Sequence, residues 1–456
     1  MFKRILCAIL SLSILCLSGC SSVKNITFEE LMEEVNAKHQ AVELAIYNTS
    51  QYVNLVDEDI RNQYYTLENN GEYHSKEELT QHQAMEDITF LFDAFHDFYG
   101  PYEYFGGDEV FYAVESEIKS ELQKQDMWKA EDVEAILLEH LKFMRDGHFT
   151  INMKELNPKK IPFFFRECIF LKTEDGYQTK EGKKVEYVEG YENLDELMKR
   201  SISQEGELVY YPVLLEDGDV WTAFESPQIC KETLKIHYTN GDSQELKAEP
   251  YQIYVDSALR QPDGEVVSSR KHGEIPVFQF NAFSNSYEKE ILAGAKKLKK
   301  ASISILDLRS NPGGRGEIAI DWMNEYAGSK DLGNKVTINT KLGMKDYPGE
   351  EWIQNNNILV IMVGKYSASA SEALLDYAND VENVLIVGEN TMGAMLTEAY
   401  NILLPNSRCR VSIGGNTINL LDKEYFEELR GFYPDIWVPA GEAEELIVKY
   451  LEKNVD

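Results

Sequence analysis

Three short segments hold the residue types and spacings that could do covalent chemistry. Asp307-Leu308-Arg309-Ser310-Asn311-Pro312-Gly313-Gly314-Arg315-Gly316 follows an apolar run. Adjacent glycines let successive backbone N–H groups turn toward one point, which makes a nest for an anion or an oxyanion. Two other readings of the glycines are a bare turn and a phosphate loop; the latter needs a following Gly-Lys-Ser/Thr, which is absent. The second segment, Gly364-Lys365-Tyr366-Ser367-Ala368-Ser369-Ala370-Ser371-Glu372, lies where a strand run gives way to a helix run. A serine there sits near free N–H groups and the positive end of the helix, a suitable place for a nucleophile whose product is an oxyanion. The same letters also make a capping box, so Ser369 reads equally as a helix cap. The third segment is Arg145-Asp146-Gly147-His148-Phe149-Thr150, with His148 competing against His39, His74, His82, His96, His140, His237 and His272. None of these forms a metal constellation such as His-Glu-x-x-His, so the chemistry is expected to need neither a metal nor a cofactor.

The elements that must position these segments fall into three blocks. Residues 27–148 read as a helical module ending at His148: Met85, Ile88, Phe92 and Phe95 repeat at helical spacing, as do Val133, Ile136, Leu137, Leu141 and Met144. Thr27-Phe28-Glu29-Glu30 and Ser75-Lys76-Glu77-Glu78 are expected capping boxes. Residues 149–274 carry short apolar runs with turn residues, among them Ile161 to Phe165, Leu208 to Val213 and Leu234 to Tyr238 ahead of Asn240-Gly241-Asp242, a hairpin signal. Lys184 to Gly190 followed by Leu194 to Leu197 suggests strand, turn and helix. A peptide-binding PDZ-like module and a plain β-rich insert both fit. Residues 275–456 alternate strand and helix: Ile303 to Leu306, Ile318 to Tyr326, Ile358 to Val363, Ala370 to Tyr377 and Val384 to Val387, a rhythm that predicts parallel strands with crossover helices. The Lys296-Lys297-Leu298-Lys299-Lys300 cluster sits at an expected helix C-terminus, where lysines suit the helix dipole.

At 456 residues the chain has room for about three domains. Its 45 Lys and Arg against 78 Asp and Glu give a formal net charge of −33, which disfavours a nucleic-acid partner. Residues 1–19 read as a signal peptide, with Lys3-Arg4 ahead of the apolar run Ile5 to Leu17, too short for a membrane span of about 20 residues. Leu17-Ser18-Gly19-Cys20 resembles a bacterial lipoprotein processing box, which implies lipidation of Cys20, residues 20–26 as a tether, and an anchor on the extracytoplasmic face of a membrane. Cys7 and Cys16 leave with the signal, and Cys168, Cys230 and Cys409 are too scattered for a disulfide framework.

Together the three segments resemble the family of C-terminal processing (tail-specific) serine peptidases and the catalytic core of tricorn peptidase, over a stretch from about Gln83 to the end. Asp307 to Gly314 and Ser367 to Glu372 carry the resemblance, and Phe278 to Phe283 is similar to the strand that opens the family's α/β core. The resemblance implies a crotonase/ClpP-like core, Ser369 as nucleophile, and an oxyanion hole from the N–H groups of Gly313, Gly314 and Ala370. Tail-specific members take their base from a lysine about 25 residues on; this chain has Met392-Gly393-Ala394 there. Tricorn-like members use a histidine, which corresponds to His148, and a glutamate before a closing Gly-x-x-Pro-Asp. That stretch corresponds to Glu428-Leu429-Arg430-Gly431-Phe432-Tyr433-Pro434-Asp435 and points to Glu428, with Glu427 and Glu424 as neighbours in register. Gly147 stands where tricorn-type sites have a serine. The implied activity is peptide-bond hydrolysis through an acyl-enzyme with a Ser-His-Glu triad, acting on a peptide or protein substrate. The alternative, motivated by the alanine at Ala394, is an inactive homologue that binds peptides or proteins, and the anchor alone fits a transporter's solute-binding lipoprotein.

Overall fold

β-Branched and aliphatic runs build the inner strands of the central sheet, because strands buried on both faces need apolar residues at successive positions. The protein is represented by a computed structural model that describes residues 26–40, 48–67, 76–256, 266–329, 332–333, 335–346, 352–421 and 425–455. The expected signal peptide, Cys20 and most of the tether lie outside the described residues, as do Ser75, His74 and Glu424. The six strands of the central sheet lie in chain order: Val267–His272, Ile275–Phe280, Ile303–Asp307, Ile358–Val363, Val384–Gly388 and Ile436–Trp437. The first pair is antiparallel and the remaining pairings are parallel. The sheet therefore begins at Val267, ahead of residue 275.

Helices cover both faces. Glu288–Leu298, Gly316–Ala327 and Ala370–Ala378 pack Ile291, Leu298, Trp322 and Leu374 onto Leu306, Leu359 and Ile361. On the other face the C-terminal helix Ala443–Asn454 and the N-terminal helix Phe28–Gln40 cover Ile305, Val360 and Met362. Helix Phe28–Gln40 thus docks on the central sheet rather than on the other N-terminal helices. Its start is a full capping box, with Glu30 N–H donating to Thr27 Oγ1 and Thr27 N–H to Glu30 Oε2. The second expected box is displaced. Glu78 lies in the short strand Glu78–Thr80, and the cap of helix Gln81–Asp97 is the Thr80–Gln83 pair.

Helices Gln81–Asp97, Gly107–Leu122 and Ala130–His140 enclose an aromatic core of Phe92, Phe95, Tyr99 and Phe111. Ile402, Val411 and Ile413 enter the same core from strands Ala399–Leu403 and Arg410–Gly414. Arg410–Gly414 pairs with Thr150–Ile151, directly after His148. The histidine turn is thereby fastened to the C-terminal unit. The β insert holds one sheet around the long strand Leu208–Gly218 and a second of Val185–Val188, Thr233–Tyr238 and Ser243–Lys247. The last two form the hairpin whose Asn240-Gly241 turn needs the positive φ of Gly241, +88°. Cys168, Cys230 and Cys409 are free thiols. Among the described residues no helix is long and apolar enough to cross a membrane.

Candidate active site

Of the three serines at the end of strand Ile358–Val363, two are spent on structure. The Ser367 hydroxyl donates to Leu308 O at 2.8 Å and accepts the Gly364 N–H at 3.1 Å, and the Ser371 hydroxyl donates to Asn311 O at 2.9 Å; both side chains are buried. Ser369 lies between them, part-exposed, with φ 54° and ψ −113°. That backbone is unfavourable for a residue with a Cβ, and a strained turn at a strand-to-helix junction lifts its side chain out of the fold. The Ser369 N–H donates to Glu372 Oε2 at 2.9 Å. The buried Glu372 carboxylate also accepts the N–H groups of Gly393 (2.7 Å) and Ala394 (2.9 Å) and the Thr391 hydroxyl. Burial pushes this carboxyl up, while those bonds pull it back. Glu372 so ties Ser369 to the loop 391–394.

The glycine turn faces Ser369 closely. A Cβ on Gly313, at φ +106°, would stand 2.8 Å from Ser369 Cβ and 3.1 Å from Ala370 N, so only glycine fits. The expected oxyanion set needs one correction in this arrangement: the Gly313 N–H is committed to Asn311 Oδ1 at 2.9 Å. Phe283 N–H donates to Gly313 O and Arg315 N–H donates to Phe283 O, each at 2.9 Å, so Gly314 between them turns its own N–H away from Phe283. Gly314 and Ala370, the first residue of helix Ala370–Ala378, are left as donors. Below the turn, buried Arg309 grips Asp307 through Nε and Nη2 and donates to Ala440 O, which fixes the base of the loop.

His148 and Glu428 meet the far side of loop 391–396. Glu428 Oε1 accepts the Gly147 N–H at 2.8 Å, and Oε2 accepts the N–H groups of Met395 (3.0 Å) and Leu396 (3.1 Å). Burial, then repulsion from Asp146, pushes the Glu428 carboxyl up to about 8. Asp146 is buried as well, accepting the His148 N–H at 2.9 Å and the Tyr99 hydroxyl at 2.8 Å. The His148 ring makes no bond to Glu428: its Nδ1 is buried without a partner. Burial, and then the neighbouring Lys159 ammonium, pull His148 down to about 4, so the ring is neutral at pH 7. Among the described residues no hydrogen bond joins His148 to Ser369; the loop between Glu372 and Glu428 brings their segments together. Six other histidines each lie beside a carboxylate: His39, His82, His96, His140, His237 and His272. His148 differs from them in having none on its ring. Glu427 pairs instead with Arg430 at 3.2 Å.

Ala394 is buried, and two lysines that sequence reasoning passed over lie near it. Lys159 Nζ donates to Gly147 O at 2.8 Å and pairs with Glu155 at 3.1 Å. Lys365 Nζ donates to Thr391 O at 2.6 Å, and burial pulls its ammonium down. Both hold carbonyls of the site's loops. Their only sequence signal was position, Lys159 shortly before the apolar run Ile161 to Phe165 and Lys365 shortly after the run Ile358 to Val363. Among the described residues no group of three His, Cys, Asp or Glu could hold a metal.

Comparison with known proteins follows the same geography. Residues 273–438 match the model of peptidase family S41. A probable CtpA-like serine protease of Staphylococcus saprophyticus is 26% identical over 219 residues, 46% of this chain and 40% of that protein. The carboxy-terminal processing protease CtpA of Bacillus subtilis is 32% identical over 136 residues, 29% of this chain and 28% of that protein. The chain thus spans well under half the length of either relative. Mature CPAF, a solved structure, aligns over 82% of this chain and 97% of its own at 14% identity and a TM-score of 0.41. The residues that match this family model include the glycine turn, Ser369 and Glu428.

Proposed function

We propose that the protein is a serine peptidase, lipid-anchored through Cys20 on the extracytoplasmic face of a membrane, that cleaves peptide bonds through an acyl-enzyme on Ser369. The observation that carries the reading is Ser369 itself: a part-exposed hydroxyl on a strained turn, φ 54°, between two buried structural serines and against a glycine turn. His148 acts as general base and then as general acid to the leaving amine, and neutrality at pH 7 suits the first role. Gly314 and Ala370 N–H groups receive the oxyanion. Glu428 completes a Ser-His-Glu set by holding the Gly147–His148 backbone. The β insert, as a PDZ-like module, presents the substrate chain, and an overall charge of −33 disfavours strongly acidic peptides. Peptide hydrolysis by the wild type, Ser369→Ala and His148→Ala tests the reading: loss in both, with the folded far-UV signal kept, supports it, and retention in Ser369→Ala overturns it.

One observation favours a second reading, a peptide-binding homologue without catalysis. The His148 Nδ1 has no partner and Glu428 is occupied by three backbone N–H groups, so the acid-to-ring link of a triad is not made in this arrangement. A folded wild type that binds peptides but never hydrolyses them would establish that reading.

A further inference from the structure

A cavity of about 740 Å³ opens where the N-terminal helix, the β insert and the C-terminal helix meet. None of Ser369, His148 and Glu428 lines it. Its volume falls in the range of pockets for small organic ligands, about 300–1,000 Å³. Leu171, Leu208 and the rings of Tyr210 and Tyr450 supply apolar surface. The charged lining is four cations (Lys172, Lys180, Arg200, Lys453) and three carboxylates (Glu34, Glu174, Glu207), with Lys172 held by Asp195 at 2.8 Å.

Two features of the wall point to an incoming anion. Arg200 binds Glu34 at 2.5 Å and also the Tyr210 phenol, yet a guanidinium has five N–H donors, and its side chain remains 21% exposed. Beside it the Tyr450 hydroxyl is buried and has no hydrogen-bond partner among the described residues, in a side chain 2% exposed. An orphaned buried hydroxyl costs about 1–3 kcal/mol unless something accepts its proton. At the rim one carboxylate, Glu207, serves both Lys180 (3.3 Å) and Lys453 (3.1 Å), which leaves ammonium charge uncompensated.

We propose that this cavity binds an acidic lipid, with the phosphate head on Arg200, Tyr450 and the rim lysines and the apolar chain along Leu171 and Leu208. Ile26 lines the cavity six residues after Cys20, and six residues reach at most about 20 Å. With the anchor on Cys20, the bilayer surface lies within that distance, which makes the membrane itself the source of the ligand. The site is independent of peptide hydrolysis.

The test uses the full chain in non-ionic detergent, titrated with short-chain phosphatidylglycerol, short-chain phosphatidylcholine and inorganic phosphate, with bound lipid counted by native mass spectrometry. Saturable binding of one phosphatidylglycerol is expected, weakened at least tenfold by Arg200→Gln and severalfold by the isosteric Tyr450→Phe. If Arg200→Gln fails to fold, Lys180→Gln/Lys453→Gln, on exposed side chains, takes its place with the same expected direction. Equal binding of phosphatidylcholine, phosphate binding as tight as the lipid, or affinities unchanged in the variants would each overturn the proposal.

Discussion

Glu428 Oε1 accepts the backbone N–H of Gly147 at 2.8 Å, and this bond, rather than one to the His148 ring, connects Glu428 to the histidine turn. With Oε2 on Met395 and Leu396, one carboxylate fastens the histidine turn to the loop that Glu372 fastens to Ser369.

Replacing Glu428 by Gln should lower turnover more than it raises KM. The amide can still accept from Met395 and Leu396, but its NH2 then faces the Gly147 N–H, donor against donor. Leaving one such group unpaired costs about 1–3 kcal/mol. Urea unfolding read beside kinetics checks this; unchanged kinetics would remove Glu428 from the site.

The pH–rate profile should show its acid limb near 4 rather than near the ordinary histidine value. His148 is pulled down to about 4, so the neutral base is present above that pH and lost below it. A limb at 6.5 or above would mean that the ring gains an anionic partner in the working enzyme. Glu428 has the opposite sign: its folded value is raised to about 8, so between about 4.5 and 8 the unfolded chain has lost a proton that the folded one keeps. Its contribution to stability therefore falls as pH rises through that window, and Glu428→Gln should flatten that slope.

Gly147→Ser should not restore a helping hydroxyl. A Cβ there would stand 2.2 Å from Gly393 O and 2.9 Å from both Ala394 Cα and Glu428 Oε1. Overpacking of this kind costs about 1–3 kcal/mol. We expect a lower melting temperature and reduced activity; a variant as stable and active as wild type would show that the loop yields freely.

Asn311→Ala should reduce turnover by about 10–100-fold with little change in KM. The side chain holds the Gly313 N–H and donates to Phe280 O, which sets the glycine turn against Ser369. Equal loss in KM and turnover would place its effect in substrate binding instead.

The inner strands of the central sheet were legible in the sequence because they are continuous apolar runs: Ile358–Val363 stands at its expected bounds and the helix Ala370–Ala378 within a residue of its own, whereas the polar edge strand Val267–His272 gave no such signal. The displaced cap at Thr80 was not, since Ser-Lys-Glu-Glu satisfies the local pattern equally well and only the pairing of Glu78–Thr80 with Met127–Lys129 decides against it. At the candidate site, the sequence pointed to Ser369, His148 and Glu428 as candidates but could not show their bonds. Gly313 looked free as a donor because nothing in a linear motif shows that Asn311, two residues earlier, turns back to capture its N–H. The burial of Lys159 against Gly147 O, of Lys365 against Thr391 O, and the Tyr99–Asp146 bond across 47 positions arise only once distant segments of the chain pack together.

Covalent labelling by an active-site phosphonate, located by peptide mass spectrometry, tests the central claim most directly. The account predicts a single adduct on Ser369, absent in Ser369→Ala and strongly slowed in His148→Ala. A folded wild-type protein that stays unlabelled, or a label on another residue, would contradict it.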